Sequence, residues 1–146
     1  MNIEKIKREN SKNDIRKIAG GIVIKEDKIL LIKRRYKPNI GEWCIPAGFT
    51  EKEKNESVKD CCVREIKEET NIDVDVIKEI EVFKKYHKER NRYEDMHIFS
   101  CVPKSSEIIV DDEVIDAKWI KLNELKETNV IPEIREIILN YLQGEI

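Results

Sequence analysis

The sequence predicts an α+β domain built from several strands, one central helix and one C-terminal helix. Strands are indicated by short apolar or alternating runs, which Gly, Pro, Asn and Asp residues separate along most of the chain. Helices are indicated by two longer segments with apolar residues at helical spacing, one central and one after Pro132. The length of 146 residues suits one domain with a sizeable core, and we expect residues 1–146 to form it.

The first part of the chain predicts a β-hairpin behind a peripheral N-terminal extension. Residues 1–15 are mostly polar, so we expect them to form this extension, with a short and poorly anchored helix. We expect the strands of the hairpin over 17–25 and 28–35. Gly20 and Gly21 in the first strand indicate either a bulge or the close approach of another backbone.

The central helix is expected after a short extended segment and a charged loop. The segment 42–49 ends with two backbone breakers close together, and most of the residues in 50–55 are charged. We expect the helix to run from about 55 to 70, with Asn55 as its N-terminal cap. Asn71 should end the helix, because asparagine tolerates the left-handed backbone conformation found there.

The second half of the chain predicts another hairpin, a final strand and a C-terminal helix. Two strand candidates span 73–86 and 93–102, and the charged segment 87–92 is typical of a loop between them. A further strand is expected over 114–121. Pro132 suits the first turn of the last helix, because apolar residues follow it at helical spacing.

The composition argues against binding to bulk nucleic acid or to membranes. Charged residues make up 40% of the chain, but the signs nearly cancel and leave a formal net charge of −2. The apolar runs are too short to span a bilayer, and the N-terminus lacks the apolar core of a signal peptide. We therefore expect a cytoplasmic protein, whose four cysteines are reduced and mostly buried.

Three glutamates of the central helix give the strongest indication of function. Glu65, Glu68 and Glu69 stand at i, i+3 and i+4, where like charges repel one another. On a helical wheel they share an arc of roughly 120° with small apolar residues. These are Val58, Cys61 and Cys62, and the far side holds Lys59, Asp60, Arg64 and Lys67. A hard divalent cation such as Mg²⁺ would compensate the three acids. The alternative is a charged surface helix in which Arg64 pairs with a neighbouring acid.

These residues belong to a longer pattern that resembles the motif of the Nudix hydrolases. The motif is Gly, five residues, Glu, seven residues, then Arg-Glu-(apolar)-x-Glu-Glu-x-Gly-(apolar). Residues 64–72 match its second half, with Asn71 in place of the glycine. Glu56 lies at the required spacing before Arg64, whereas seven residues rather than five separate Gly48 from Glu56. The departure affects the loop and leaves the acids in place.

The resemblance extends over about 17–142 and carries expectations for fold and chemistry. It implies an α/β/α sandwich around a mixed sheet, with the motif helix at its centre. It also implies hydrolysis of the pyrophosphate bond in a nucleoside diphosphate linked to another moiety, with Mg²⁺ or Mn²⁺ as cofactor. Divalent ions would neutralise the phosphate oxygens and orient a water for attack at phosphorus. The expected partner is a small-molecule nucleotide, and a homodimer is compatible with the resemblance.

The resemblance also implies roles for individual residues. The expected metal ligands are the motif residues Gly48, Glu56, Glu65, Glu68 and Glu69. Glu68 and Glu69 would be the main ligands, while Glu65 would be a ligand or the general base. Arg64 would hold a carboxylate in place through a charge-assisted hydrogen bond.

Residues outside the motif are further candidates, each with a bland alternative. The resemblance implies a further acid from a loop outside the motif, which would join the metal site or act as the general base. The candidates are Asp111, Asp112 and Glu113, of which we favour Glu113; the alternative is that this cluster is an ordinary solvated turn. Arg34 and Arg35 end a strand that should lead to the site, so they either bind phosphate or form a solvated strand end. Aromatic side chains that could stack on a base or fill the core are Phe49, Phe83, Tyr86 and Tyr93.

The substrate is the least defined part of the expected function. Residues 43–49 are more similar to the branch that acts on ADP-ribose or related dinucleotides than to the mutation-preventing branch. The alternatives are hydrolysis of nucleoside triphosphates, removal of pyrophosphate from RNA 5′ ends, or a non-catalytic domain that senses a nucleotide.

Overall fold

The chain forms a mixed sheet between two helices, seen in a computed structural model that describes residues 15–144. The strands are β1 (Arg16–Lys25), β2 (Lys28–Arg34), β3 (Trp43–Cys44), β4 (Ala47–Phe49), β5 (Val74–His87), β6 (Arg92–Pro103) and β7 (Val114–Lys121). The α-helices are α1 (Val58–Thr70) and α2 (Pro132–Leu142), and 3₁₀ turns cover Lys52–Lys54 and Leu122–Glu124. The short helix expected over 2–10 lies outside the described residues.

Strand β1 organises the sheet, because it pairs with three different strands along its length. It runs parallel to β6, from the Arg16–Glu94 pair to the Val23–Cys101 pair. Its first half also pairs antiparallel with β4, and its end pairs antiparallel with β2. Strand β5 continues the sheet beyond β6, while β3 and β7 both pair with β2. One parallel pair among antiparallel pairs makes the sheet mixed, as predicted.

Each face of the sheet is covered by one helix and one apolar cluster. Buried residues on the α1 side include Ala19, Leu30, Cys62, Ile66 and Phe99. Those on the α2 side include Ile22, Leu31, Ile98, Ile134 and Ile138. Burial of large aliphatic side chains contributes about 1.5–3 kcal/mol each, so the two clusters hold the layers together. The predicted α/β/α sandwich is therefore confirmed.

Gly20 lies where two backbones meet, as one of the two sequence interpretations proposed. A Cβ atom on Gly20 would lie 2.5 Å from the Cβ atom of Ala47 and 2.7 Å from the carbonyl oxygen of Pro46. The next amide, of Gly21, donates a hydrogen bond to that same carbonyl at 3.2 Å. The missing side chain thus allows β4 to lie directly against β1, which places the motif loop over the sheet.

The start of the central helix differs from the prediction. Asn55 does not cap α1, because it takes the left-handed conformation (φ 54°) that ends the preceding 3₁₀ turn. Ser57 is the N-terminal cap, and its hydroxyl accepts a hydrogen bond from the Asp60 amide at 3.1 Å. At the other end Asn71 has φ 69° and ends the helix, as predicted. The N-terminal cap of α1 therefore lies two residues later than expected, and the charged loop is longer by those two residues.

The remaining elements agree with the sequence to within a residue or two. The hairpin of β5 and β6 pairs as far as His87 and Arg92, so its loop holds only residues 88–91. All four cysteines are free and buried, as expected. Among residues 15–144, no helix is long and apolar enough to cross a membrane.

The capping role of Ser57 can be tested by substitution. We expect Ser57→Ala to lower the free energy of unfolding by about 1 kcal/mol, because the Asp60 amide loses its acceptor. Ser57→Asp should keep the stability, because a carboxylate is an equally good cap at the positive end of the helix dipole. Urea unfolding followed by circular dichroism measures both, and equal stability of the Ala and Asp variants would contradict the assignment.

Candidate active site

Strand β4 lies directly on the acidic part of α1. A Cβ atom on Gly48 would lie 2.1 Å from the carboxyl carbon of Glu65, so only glycine fits beside this side chain. One residue earlier, the Ala47 amide donates a hydrogen bond to Glu69 Oε1 at 2.9 Å. Two motif acids therefore meet the backbone of β4, although the loop after Gly48 is two residues longer than the motif.

Arg64 connects the motif acids to one another and to β4. Its guanidinium donates to both oxygens of Glu56, at 2.8 and 2.9 Å. It also donates to Glu65 at 2.9 Å, to Glu68 at 3.1 Å and to the Phe49 carbonyl at 3.0 Å. The helical wheel placed Arg64 on the far, solvated side, and this was wrong, because its long side chain is only 23% exposed. Charge-assisted hydrogen bonds of this kind hold a carboxylate more strongly than hydrogen bonds between neutral groups do.

The longer loop holds Glu56 in reach of Arg64. The 3₁₀ turn and the left-handed conformation of Asn55 reverse the chain direction and bring Glu56 close to Glu51. The Glu51 amide donates a hydrogen bond to Glu56 Oε1 at 3.0 Å. Hydrogen bonding from Arg64 lowers the pKa of Glu56 to about 2, against a smaller opposing effect of burial. Glu56 is therefore a firmly ionised partner of Arg64 outside the helix, rather than a residue of its first turn.

Glu65 and Glu69 are acids whose charge is poorly compensated. Burial raises the pKa of Glu65 to about 7, and the Arg64 charge only partly opposes this effect. Burial also raises the pKa of Glu69 well above its usual value, and the charges of Glu65 and Glu113 raise it further. Glu68 is more exposed than the other two acids, with 45% of its side chain accessible to solvent. The prediction that all three acids face inward was therefore wrong for Glu68.

The donors around β4 suit a hard divalent cation. No three acidic, histidine or cysteine side chains of residues 15–144 converge into a metal-binding group, because Arg64 and the Ala47 amide hold the carboxylates. The chemistry of the set nevertheless fits Mg²⁺ or Mn²⁺, since carboxylate and carbonyl oxygens are the ligands that such ions prefer. A cation would also supply positive charge to the buried Glu69, and to the partly buried Glu65, which Arg64 compensates only in part. The residues present therefore fit the metal, with rotation of the glutamate side chains.

A cavity of about 710 Å³ opens beside these acids. Among the residues that line it are Arg34, Arg35, Gly48, Glu65, Glu69 and Glu113. Glu68 and Glu56 do not line it, and neither do Asp111 or Asp112. Arg34 is held by a 2.7 Å hydrogen bond from its Nε to the Pro38 carbonyl. The cavity thus brings together most of the sequence candidates, including the favoured acid of the 111–113 cluster.

A basic cluster that the sequence did not indicate lies beside the cavity, and one of its members, Arg90, lines it. The guanidinium groups of Arg16, Arg90 and Arg92 lie 5.1–5.3 Å from the centre of the Phe49 ring. Arg90 and Arg92 also donate to the buried carboxylate of Glu94 at 2.9–3.1 Å. These residues come from β1, β4 and the hairpin of β5 and β6, so only the sheet register brings them together. The Phe49 ring is a cation–π partner here, rather than an apolar core residue.

The buried ion pair at Glu94 predicts a pH-dependent stability. Burial raises the pKa of Glu94, but hydrogen bonds from Arg92 and Arg90 outweigh it, and the pKa is lowered overall. A lowered pKa in the folded state stabilises the fold above the unfolded pKa of about 4.3, and this contribution disappears as the pH falls through the folded value. We expect Glu94→Gln to cost about 1–3 kcal/mol at pH 7.

Urea unfolding at pH 7, 5 and 3 measures this effect. The difference between the unmodified chain and Glu94→Gln should be constant from pH 7 to 5 and should shrink below about pH 4. Glu89→Gln, at an exposed position in the same hairpin, serves as the control and should cost almost nothing. A difference that stays the same down to pH 3 would show that Glu94 does not act through its charge.

Comparison with known proteins identifies the family of the chain. Residues 15–141 match the family model of the NUDIX domain. The ADP-ribose pyrophosphatase of Methanocaldococcus jannaschii is 32% identical over 125 residues, which cover 86% of this chain and 72% of that protein. Nudix hydrolase 8 of Arabidopsis thaliana is 35% identical over 119 residues, which cover 77% of this chain but only 31% of the plant protein.

The comparison with solved structures supports the fold. The NUDIX domain of Shewanella oneidensis NrtR, solved with ADP ribose, has a TM-score of 0.77 with this chain. The two share 15% identity, and the match covers 100% of both chains, so the likeness is one of fold. Together with the match over 15–141, these findings confirm the family that the motif suggested. The chain belongs to the Nudix family.

Proposed function

We propose that the protein is a divalent-metal-dependent pyrophosphohydrolase that acts on a nucleoside diphosphate linked to another moiety. The observation that carries the proposal is the pair of acids Glu69, which is buried, and Glu65, which is partly buried; both line an open cavity beside β4, and burial raises the pKa of both. Charges taken out of water are expensive unless they are paired or coordinate a metal, and the one ion pair of Glu65 with Arg64 only partly offsets the effect of burial. Membership of the Nudix family supports the same chemistry.

Each residue of the site has a role in this proposal. Bound Mg²⁺ or Mn²⁺ would neutralise the phosphate oxygens and lower the pKa of a bound water. Glu69 and the Gly48 carbonyl would hold the ion, and Glu68, whose side chain is exposed, would be a further ligand after rotation. Glu65 has a pKa of about 7 through burial, so it can either bind the ion or accept a proton from the attacking water at neutral pH.

Other groups position the reactants in the same proposal. Arg64 keeps the acids and β4 in a fixed relation, with Glu56 as its ionised partner. Arg34 and Arg35 line the cavity with positive charge and would bind the phosphates of the substrate. Glu113 faces Glu65 and Glu69 across the cavity closely enough to raise the pKa of both, so it is the second candidate for the general base.

ADP-ribose or a related dinucleotide is the proposed substrate. The support is the relative from Methanocaldococcus jannaschii, which is named for ADP-ribose hydrolysis and matches 86% of this chain. Nucleoside triphosphates and RNA 5′ ends are the alternatives, and a screen of these substrates with identification of the products separates them. Release of AMP and ribose phosphate is the expected result with ADP-ribose, whereas release of pyrophosphate from a triphosphate would favour the second group.

Glu69→Gln is the substitution that tests the proposed chemistry. We expect it to lower Mg²⁺-dependent hydrolysis by about 100-fold or more, because the ion would lose a charged ligand. The fold should persist, since a glutamine oxygen can still accept the hydrogen bond from the Ala47 amide. Without metal the variant should melt at the same or a higher temperature, because a buried charge is removed.

Asp60→Asn is the matched control, because Asp60 is exposed on the same helix and does not line the cavity. Near-normal hydrolysis by Glu69→Gln would refute the assignment of the site. Absence of turnover by the unmodified chain with Mg²⁺ and Mn²⁺ across the whole screen, together with a nucleotide-induced rise in melting temperature, would instead indicate a sensing domain.

A further inference from the structure

The basic cluster around Phe49 is part of an ordered surface rather than a chance grouping of side chains. In the ladder of β1, β6 and β5, Arg16 pairs with Glu94, and Glu94 pairs with Lys85. Residues that pair directly across strands project from the same face of a sheet. Arg16, Glu94 and Lys85 therefore form one row across three strands. Arg92 stands two residues before Glu94 on the same face, and Arg90 reaches the row from the hairpin loop.

This row has more positive than negative charge. Within residues 15–144, the row brings four cations to one carboxylate, that of Glu94, which is buried and already accepts hydrogen bonds from Arg90 and Arg92. The Nε atom of Arg16 is buried and makes no hydrogen bond to any part of the chain that the structure describes. Like charges held this closely repel one another, so an anion would be stabilised beside them. Lys85 and Arg90 line the cavity and are the groups that such an anion would meet.

The row also has a defined position relative to the motif acids. Ala19 of β1 pairs with Gly48, whose Cα packs against the Glu65 carboxylate. Arg16 precedes Ala19 by three residues on the same strand. At about 3.3 Å per residue, the basic row lies roughly 10 Å along the strand from the level of Gly48. Between the two levels lies an apolar row that also lines the cavity: Ile18, Met96 and Phe83.

We propose that this basic row is a second anion subsite, which binds a phosphate monoester carried by the substrate in addition to its diphosphate. The diphosphate lies at the acidic level, a sugar or base covers the apolar row, and the additional phosphate meets Lys85 and Arg90. The favoured substrates are therefore nucleoside diphosphate derivatives with a further phosphate on one of their sugars. The inference rests on the proposed function for the identity of the rest of the ligand.

Binding measurements test the subsite without dependence on turnover. The ligands are ADP-ribose, ADP-ribose with a 2′-phosphate on the adenosine ribose, and ADP-ribose with a phosphate on the 5-hydroxyl of the terminal ribose. Isothermal titration calorimetry in EDTA gives each Kd while hydrolysis is blocked. We expect one phosphorylated ligand to bind about tenfold or more tightly than ADP-ribose, the gain of one charge-assisted hydrogen bond. Which of the two binds more tightly identifies the sugar that carries the additional phosphate.

Substitutions connect the preference to the row. Lys85→Gln and Arg90→Gln should each reduce the preference for the phosphorylated ligand over ADP-ribose to about threefold or less. In Arg90→Gln the Glu94 carboxylate keeps its hydrogen bond from Arg92. Lys84→Gln is the matched control, because Lys84 is exposed on the same strand, has the same charge and does not line the cavity. This control should keep the full preference. Melting temperatures of all three variants check that they remain folded.

Two results would overturn the inference. One is binding of all three ligands within about twofold of each other, and the other is a preference that survives in both Lys85→Gln and Arg90→Gln. A parallel assay of hydrolysis with Mg²⁺ keeps the two proposals separate. Absence of hydrolysis with an intact preference would contradict the proposed function alone, whereas hydrolysis of ADP-ribose without any preference would contradict the subsite alone.

Discussion

The site depends on the hydrogen bonds of one guanidinium group, that of Arg64. It bonds three glutamates and the Phe49 carbonyl, and so it joins the loop, β4 and α1 into one unit. Three carboxylates in the C-terminal half of α1, together with that of Glu56 before its N-terminus, would otherwise lie close together without a compensating charge. The position of Gly48 against Glu65 follows from this arrangement, since the strand can approach only where a side chain is absent. Arginine suits the position because its planar group presents several donors in fixed directions.

Arg64 compensates the acids unequally, and the proposed chemistry depends on this inequality. Glu56 receives two strong hydrogen bonds, which hold its pKa at about 2. Glu65 receives one hydrogen bond from Arg64, and the effect of burial on its pKa outweighs that of the arginine. Glu69 accepts a hydrogen bond from a backbone amide instead of from a cation, and burial raises its pKa. The fold therefore contains a structural ion pair beside Glu65, whose charge is only partly compensated, and Glu69, which has no cationic partner among the described residues. Burial of unmet charge lowers stability, so its presence in an open cavity is better explained by function than by folding.

Much of the fold and the motif could be predicted from local sequence. The hairpins, the α1 stop at Asn71 and the Pro132 helix depend on near neighbours, and each was predicted correctly. Asn55 was assigned wrongly because capping and left-handed turns favour the same residue type, and only the backbone path distinguishes them. Arg64 was placed on the wrong side because a wheel records where a side chain starts, whereas a long side chain can reach around the helix.

The basic row was missed for a different reason. Arg16 and Glu94 are far apart in the sequence and meet through the parallel pairing of β1 with β6, whose register no local pattern encodes. The segment 87–92 has the composition of an ordinary charged loop, and only the fold places Arg90 and Arg92 beside Phe49, with Arg90 lining the cavity.

The central claim is that Glu65, Glu69 and the Gly48 carbonyl form a metal site, and anomalous diffraction tests it most directly. Crystals of the unmodified chain would be soaked with Mn²⁺ and a non-hydrolysable ADP-ribose analogue, and data would be collected above the manganese edge. We predict an anomalous peak at about 2.0–2.4 Å from oxygens of Glu69 and at least one further donor of this set. Manganese bound elsewhere, or an analogue bound with these acids still paired to Arg64 and free of metal, would contradict the account.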